Sequence, residues 1–172
     1  MNRVGEFEKV SFEQFSAAMK EELYSQGNYE DEIRGLYDAI KLPIRSTSGS
    51  AGYDFVSPVS FHLSPGESIK IPTGIRCRID EGWWLGCFPR SGLGFKYRLQ
   101  LDNTIGVIDS DYYHSGNEGH IFAKLTNDGK AGKPISISAG DRFMQGIFIP
   151  YGITYSDEAY GVRDGGFGST GD

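Results

Sequence analysis

The chain has 172 residues, 38% hydrophobic and 23% charged, a length and balance that suit one folded domain with a real core and exclude a disordered chain. Its longest apolar runs are a few residues, which excludes a membrane-spanning helix, and a net charge of −6 argues against a general nucleic-acid surface. The 24 glycines, about twice the usual share, lack collagen's period of three, so with 10 Tyr and 11 Phe they read as short strands, tight turns and closely approached backbone.

The first residues, MNRVGEFEKVSF, hold no apolar signal core, which points to a cytoplasmic protein. Ser11-Phe-Glu-Gln14 predicts a capping box, with Val10 and Phe15 placed for a hydrophobic staple. Phe12, Phe15, Met19 and Leu23 then recur at three- and four-residue steps and predict one apolar helical face, stopped near Gly27. Ile33, Leu36, Tyr37 and Ile40 predict a second, shorter helix. Residues 1–39 therefore read as a helical extension packed on the main body or on a neighbouring subunit.

From Ile40 the period changes to two. Ile40, Leu42 and Ile44 alternate with polar residues or proline, as do Val59, Phe61 and Leu63, then Ile75, Cys77 and Ile79, then Ile121, Ala123 and Leu125. Turn signals separate these runs at Ser64-Pro65-Gly66, Asp80-Glu81-Gly82, Asn127-Asp128-Gly129 and Ala139-Gly140-Asp141. Residues 40–161 thus predict an all-β body, a sandwich, jelly roll or barrel. Cys77 and Cys87 lack metal-type spacing and are expected as free, buried thiols. Residues 162–172 are too glycine-rich to hold one conformation alone, so they form a flexible end or a segment that orders on a ligand.

Five short stretches carry chemistry: Ala51-Gly-Tyr-Asp-Phe55, Pro89-Arg-Ser-Gly-Leu-Gly94, Gly106-Val-Ile-Asp-Ser-Asp-Tyr112, Gly140-Asp-Arg-Phe-Met-Gln145 and Gly165-Gly-Phe-Gly-Ser-Thr-Gly171. Arg90, Ser91 and Gly92 set a guanidinium, a hydroxyl and an unobstructed backbone N–H in a row, three different phosphate donors. Asp109 follows apolar Val107 and Ile108, where a carboxylate can be held rigidly to orient and deprotonate a water. Arg142 and Gln145 fall on a strand with Phe143, Ile147 and Ile149. Phe167 offers a ring for stacking, and Ser169 and Thr170 offer hydroxyls. Taken singly, each stretch is an ordinary turn, strand or linker. Their order is the specific signal.

From Ala51 to Gly171 the five stretches resemble the five motifs of the trimeric dUTPase family, the deoxyuridine triphosphate nucleotidohydrolases. The resemblance implies a jelly-roll-like distorted β-barrel closed by a carboxy-terminal arm. It implies hydrolysis of dUTP to dUMP and pyrophosphate by in-line water attack at the α-phosphorus, with Asp109 as general base. Arg90, Ser91 and Gly92 would grip the triphosphate with Gln145 nearby. The hairpin of Asn103, Gly106, Val107 and Ile108 would read uracil, rejecting cytosine by mismatched donors and acceptors, at about 1–3 kcal/mol each, and thymine by a methyl clash. Tyr112 would lie beneath the deoxyribose and exclude a 2′-hydroxyl. Asp54, Asp111 and Arg142 would support the site, Asp54 by pairing with an arginine. Arg163, Phe167, Gly168, Ser169 and Thr170 would close over the nucleotide and exclude bulk water. Mg²⁺ would be held by the triphosphate and waters, with no direct protein ligand. Active sites at the subunit interfaces of a homotrimer are implied as well.

Two features depart from the family pattern. Tyr113-His-Ser-Gly-Asn-Glu-Gly119 lengthens the turn after the third motif, as in some bacterial and phage-like members, and brings His114 close to His120 without a third metal ligand at suitable spacing. Arg163 lies one residue nearer the Gly-Gly pair than the usual arm arginine. The nearest rival reading is a dCTP deaminase of the same superfamily, which needs a glutamate beside the base; Asn103–Tyr112 contains none. A third reading is a nucleotide-gated regulatory protein whose partner binds the N-terminal extension or residues 113–119.

Overall fold

The computed structural model describes residues 2–161. In chain order the elements are β1 (Gly5–Lys9), α1 (Phe12–Glu22), α2 (Glu30–Ala39), β2 (Ile44–Arg45), β3 (Tyr53–Val56), β4 (Phe61–Leu63), β5 (Ser68–Pro72), β6 (Ile75–Ile79), β7 (Trp83–Pro89), α3 (Ser91–Tyr97), β8 (Leu99–Leu101), β9 (Gly106–Ile108), a 3₁₀ turn (Ser110–His114), β10 (Phe122–Asn127), β11 (Ile135–Ile137) and β12 (Arg142–Pro150). The strands form antiparallel sheets in the orders β2-β3-β12-β7-β9, β5-β10-β8, β11-β4 and β1-β6. The all-β class holds, but the described strands fall into separate sheets and do not close into one barrel. The alternating residues of β4, β6 and β10 all point into the core. Gly66, Gly82, Gly129 and Gly140 take positive φ at the four turns, where a side chain would be strained. No helix among the described residues is long and apolar enough to cross a membrane.

The first 39 residues contain a strand as well as two helices. β1 reads GEFEK, with one apolar residue and therefore no alternating signal of its own. Its register on β6 is set across the pair: Glu6 faces Arg78 and Glu8 faces Arg76, each joined by an ion pair, at 2.6 and 2.8 Å. Phe7, opposite Cys77, meets Phe55 edge to face at 5.5 Å. Opposite-charge and aromatic pairs of this kind stabilise antiparallel strands.

Helix α1 buries Phe12, Phe15 and Met19 in the same core as the sheets, with Leu23 packed against it. It ends at Glu22, before Gly27. Its N-cap differs from the expected box. Ser11 Oγ accepts from the Gln14 N–H at 3.1 Å, but the Ser11 N–H donates to Glu118 at 2.7 Å, so a distant carboxylate stands where Gln14 was expected to reach back. In α2, Ile33 is fully buried. The strand expected at Ile40, Leu42 and Ile44 shrinks to the two residues of β2. Its phase is also inverted, since Pro43 is buried while Leu42 and Ile44 are exposed. A proline that buries its ring and donates no N–H breaks the ladder there.

Candidate active site

Three of the sequence stretches meet at one end of the large sheet. In β3, Asp54 lies opposite Gln145 of β12. A register shift between Arg142 and Met144, a bulge of the kind that re-aims a side chain, accompanies the reach of Arg142 to Asp54. The Asp54 carboxylate takes two guanidiniums at once: Arg90 Nε lies 3.1 Å from one oxygen and Arg142 Nη1 3.1 Å from the other. Ser46 Oγ donates to Asp54 at 2.8 Å and accepts from Arg142 at 2.7 Å. The Asp54 side chain is 10% exposed, those of Arg90 and Arg142 40% and 44%. One buried anion thus holds two arginines that still present donors to solvent, an arrangement suited to a polyanion.

Arg90 is also the N-cap of α3. Ser91 and Gly92 follow it, exposed, in the first turn where backbone N–H groups lack intrahelical acceptors. Gln145 Nε2 donates to the Pro89 carbonyl at 3.4 Å. Gly52 lies so close to Gln145 that an added Cβ would stand 2.6 Å from its Oε1.

The hairpin arms that follow diverge. β8 pairs with β10, while β9 pairs with β7, so each is the edge strand of a different sheet, and edge strands offer backbone donors and acceptors. Between them lies a cleft of about 240 Å³ lined by Asn103, Gly106, Ile108, Cys87, Phe122 and Met144, with Lys70, Asp102 and Lys124 at its rim. Lys124 pairs with Asp102 at 3.0 Å. An added Cβ at Gly106 would meet Cys87 Cβ at 3.0 Å, so glycine lets the two strands approach. Val107 is half exposed and points away from the core, whereas Ile108 is buried. Cys77 and Cys87 are free and buried; burial pushes the Cys87 thiol up to about 12 and Cys77 higher still, so both are inert as nucleophiles.

Asp109 caps the 3₁₀ turn, its carbonyl accepting the Tyr112 N–H at 3.2 Å. With Asp111, Glu81, Trp84 and Tyr151 it lines an open cleft of about 760 Å³. It does not join Arg90 within one chain. Ile108 faces Leu85 on β7, which sets Asp109 level with Trp84, six residues before Arg90. At about 3.3 Å per residue the two are roughly 20 Å apart. The Tyr112 ring, expected beneath the deoxyribose, is 2% exposed in the single chain. Its hydroxyl donates to the His120 carbonyl at 2.7 Å and accepts from Asn117 at 2.8 Å, which draws the ring into the core. His120 is buried too, its Nε2 accepting the Gly74 N–H at 2.8 Å, while His114 is exposed. Among the described residues no three His, Cys, Asp or Glu side chains gather as a metal site. Arg163, Phe167, Gly168, Ser169 and Thr170 lie outside the described residues.

A family model described as dUTPase matches residues 38–171. The chain belongs to the dUTPase family. It is 41% identical over 135 residues to the deoxyuridine 5′-triphosphate nucleotidohydrolase of Lactococcus lactis, covering 77% of this chain and 89% of that one. Among solved structures it resembles the dUTPase from Streptococcus mutans, with a TM-score of 0.61 and 31% identity over 86% of this chain and 97% of that one. It also shares its fold with the dUTPase from phage phi11 of S. aureus, with a TM-score of 0.57 at 23% identity.

The family match begins after α1 and most of α2, so β1 and α1 lie outside it. Sequence reasoning missed Ser46, which stands outside all five dUTPase motifs and carries no local signal. Lys70 and Lys124, which line the cleft beside β8 and β9, fall in none of the five motifs either.

Proposed function

We propose that this chain hydrolyses dUTP to dUMP and pyrophosphate. The observation that carries the reading is the Asp54 cluster, two arginines from separate motifs held by one buried carboxylate in a chain of the dUTPase family. In this reading Mg²⁺ arrives as part of the substrate, the Mg-bound triphosphate, and no step is assigned to a protein-held metal. Arg90, Arg142 and the Ser91 and Gly92 N–H groups bind the phosphates, with Gln145 beside them. The edges of β8 and β9, with Asn103, read the uracil ring in the cleft between them. Asp109 takes the proton from a water that attacks the α-phosphorus in line, and pyrophosphate leaves. Tyr112 acts from within the core, holding the turn on which Asp109 stands.

The roughly 20 Å between Asp109 and Arg90 is farther than a triphosphate reaches between its first and last phosphorus. They therefore serve one substrate best from different chains. This supports a homotrimer with sites at its interfaces, as does the exposure of Ile44 at 62% and Phe95 at 89%, apolar surface that a neighbour would cover. We read residues 40–161 as the catalytic body, 1–39 as an added extension and 162–172 as the closing arm, with the lengthened turn at 113–119 a variant feature. Product analysis with Mg²⁺ and dUTP, dCTP, dTTP or UTP tests the reading on wild type and Asp109→Asn. dUMP and pyrophosphate from dUTP alone, lost in the variant, are expected. Deoxyuridine products from dCTP would instead place the chain with the deaminases, and binding of dUTP without turnover would favour a regulatory role.

A further inference from the structure

The extension outside the family match is tied by charge and hydrogen bonds to the segment that follows Asp109. Glu118 grips the N-terminus of α1 with both carboxylate oxygens. Oε2 accepts the Ser11 N–H at 2.7 Å and Oε1 accepts the Ser11 hydroxyl at 2.5 Å. A carboxylate at a helix N-terminus satisfies an orphan donor and meets the positive end of the helix dipole. Glu118 sits at φ +60° in a turn closed by its N–H on the Ser115 carbonyl at 2.8 Å, a left-handed conformation that costs about 1–2 kcal/mol for a residue with a Cβ and persists only where surrounding contacts hold it. Burial opposes its charge, but the two Ser11 hydrogen bonds together with nearby positive charge, Arg76 included, hold its carboxyl below the usual range.

The strained turn bears directly on the catalytic corner. The next residue, Gly119, is packed so tightly that an added Cβ would stand 2.7 Å from Tyr113 Cα and 2.8 Å from the Tyr112 carbonyl oxygen. On the preceding side Asn117 holds the Tyr112 hydroxyl, and Tyr112 in turn closes on the Asp109 carbonyl. A second tie runs parallel to the first. Tyr113 donates to Glu8 of β1 at 2.8 Å, Arg76 pairs with that same Glu8 oxygen at 2.8 Å, and the Arg76 guanidinium lies 4.4 Å from the centre of the Tyr113 ring. β1 and the cap of α1 therefore clasp the segment that follows Asp109.

We propose that Glu118 and Ser11 are positioning residues for hydrolysis, through which the N-terminal extension fixes the orientation of the Asp109 turn. The proposal rests on the reading of Asp109 as the base. Neither residue lines the clefts described above, so neither is expected to contribute to nucleotide binding. Its test is steady-state dUTP hydrolysis by the full chain for Ser11→Ala, Ser11→Thr, Glu118→Gln and the Ser11→Ala/Glu118→Gln double variant, with Asp109→Asn alongside. Rates are referred to the folded fraction measured by circular dichroism at the assay temperature. Ser11→Ala and Glu118→Gln are expected to lower kcat about tenfold, a fraction of what a 1 Å misplacement costs, with KM within about twofold. The double variant is expected to fall short of the product of the two single effects, because both act on the one Ser11–Glu118 pair, and Ser11→Thr is expected to restore kcat. A kcat per folded chain within about twofold of wild type in both single variants, with Asp109→Asn inactive, overturns the clasp and leaves the base assignment standing. An active Asp109→Asn overturns both.

Discussion

Lowering the pH from about 7 to about 5 is expected to cost the fold about 2 kcal/mol through His120 alone. The side chain is 0% exposed, and its Nε2 accepts the Gly74 N–H, so the ring is neutral with its proton on Nδ1. No partner for Nδ1 occurs among the described residues, and the ring packs, tilted, 4.5 Å from Phe122 and 6.3 Å from Phe15. Protonation would put a cation among aromatic rings and abolish the acceptor that Gly74 uses. Burial therefore pushes the imidazole from its ordinary 6.5 down to about 3, with Glu118 opposing in part. The unfolded chain takes up this proton below pH 6.5 and the folded chain does not until about pH 3. The stabilisation is complete above 6.5 and is lost as pH falls through that window, at up to about 1.4 kcal/mol per pH unit. Urea unfolding at fixed protein concentration, wild type against His120→Gln, measures it. Glutamine keeps an acceptor for Gly74 and cannot titrate, so its loss between the two pH values should shrink to under about 0.5 kcal/mol. If His120→Gln loses as much stability as wild type, or if His120 titrates above about pH 5 by NMR, the reasoning fails.

Three further outcomes follow from the geometry. Asp54→Asn leaves two guanidiniums facing each other; because both are more than a third exposed, the stability cost should be only about 1 kcal/mol, while KM for dUTP rises several-fold, and an unchanged KM would remove Asp54 from the phosphate site. Gly119→Ala meets backbone at 2.7 and 2.8 Å with φ at +70°, so thermal denaturation should show a loss of about 3 kcal/mol, whereas Gly116→Ala, with open space around it, should cost less than about 1 kcal/mol. Cys77 and Cys87 should resist a thiol reagent in the native state and react only on unfolding, and rapid native labelling at pH 8 would contradict their burial.

Much of this protein was legible locally. The four glycine turns were readable because positive φ is a property of single residues. The cores of β4, β6 and β10 were readable because a pleated strand shows its buried face every second residue. The Ser11 cap and the apolar face of α1 are likewise contained within one or two helical turns. What the sequence hid depends on partners far along the chain. β1 has no pattern of its own and exists through Arg76 and Arg78, some seventy residues away. Glu118 caps a helix more than a hundred residues upstream. Leu42 and Ile44 alternate like a core strand, yet Pro43 takes the buried position. The motif order singled out the residues proposed to hold phosphate and to activate water, but only the tertiary structure joined Asp54 to two arginines and buried the Tyr112 ring. It also set Asp109 at the opposite end of β7 from Arg90. Sequence order carries no distance between motifs, and it is strand register along β7 that separates them.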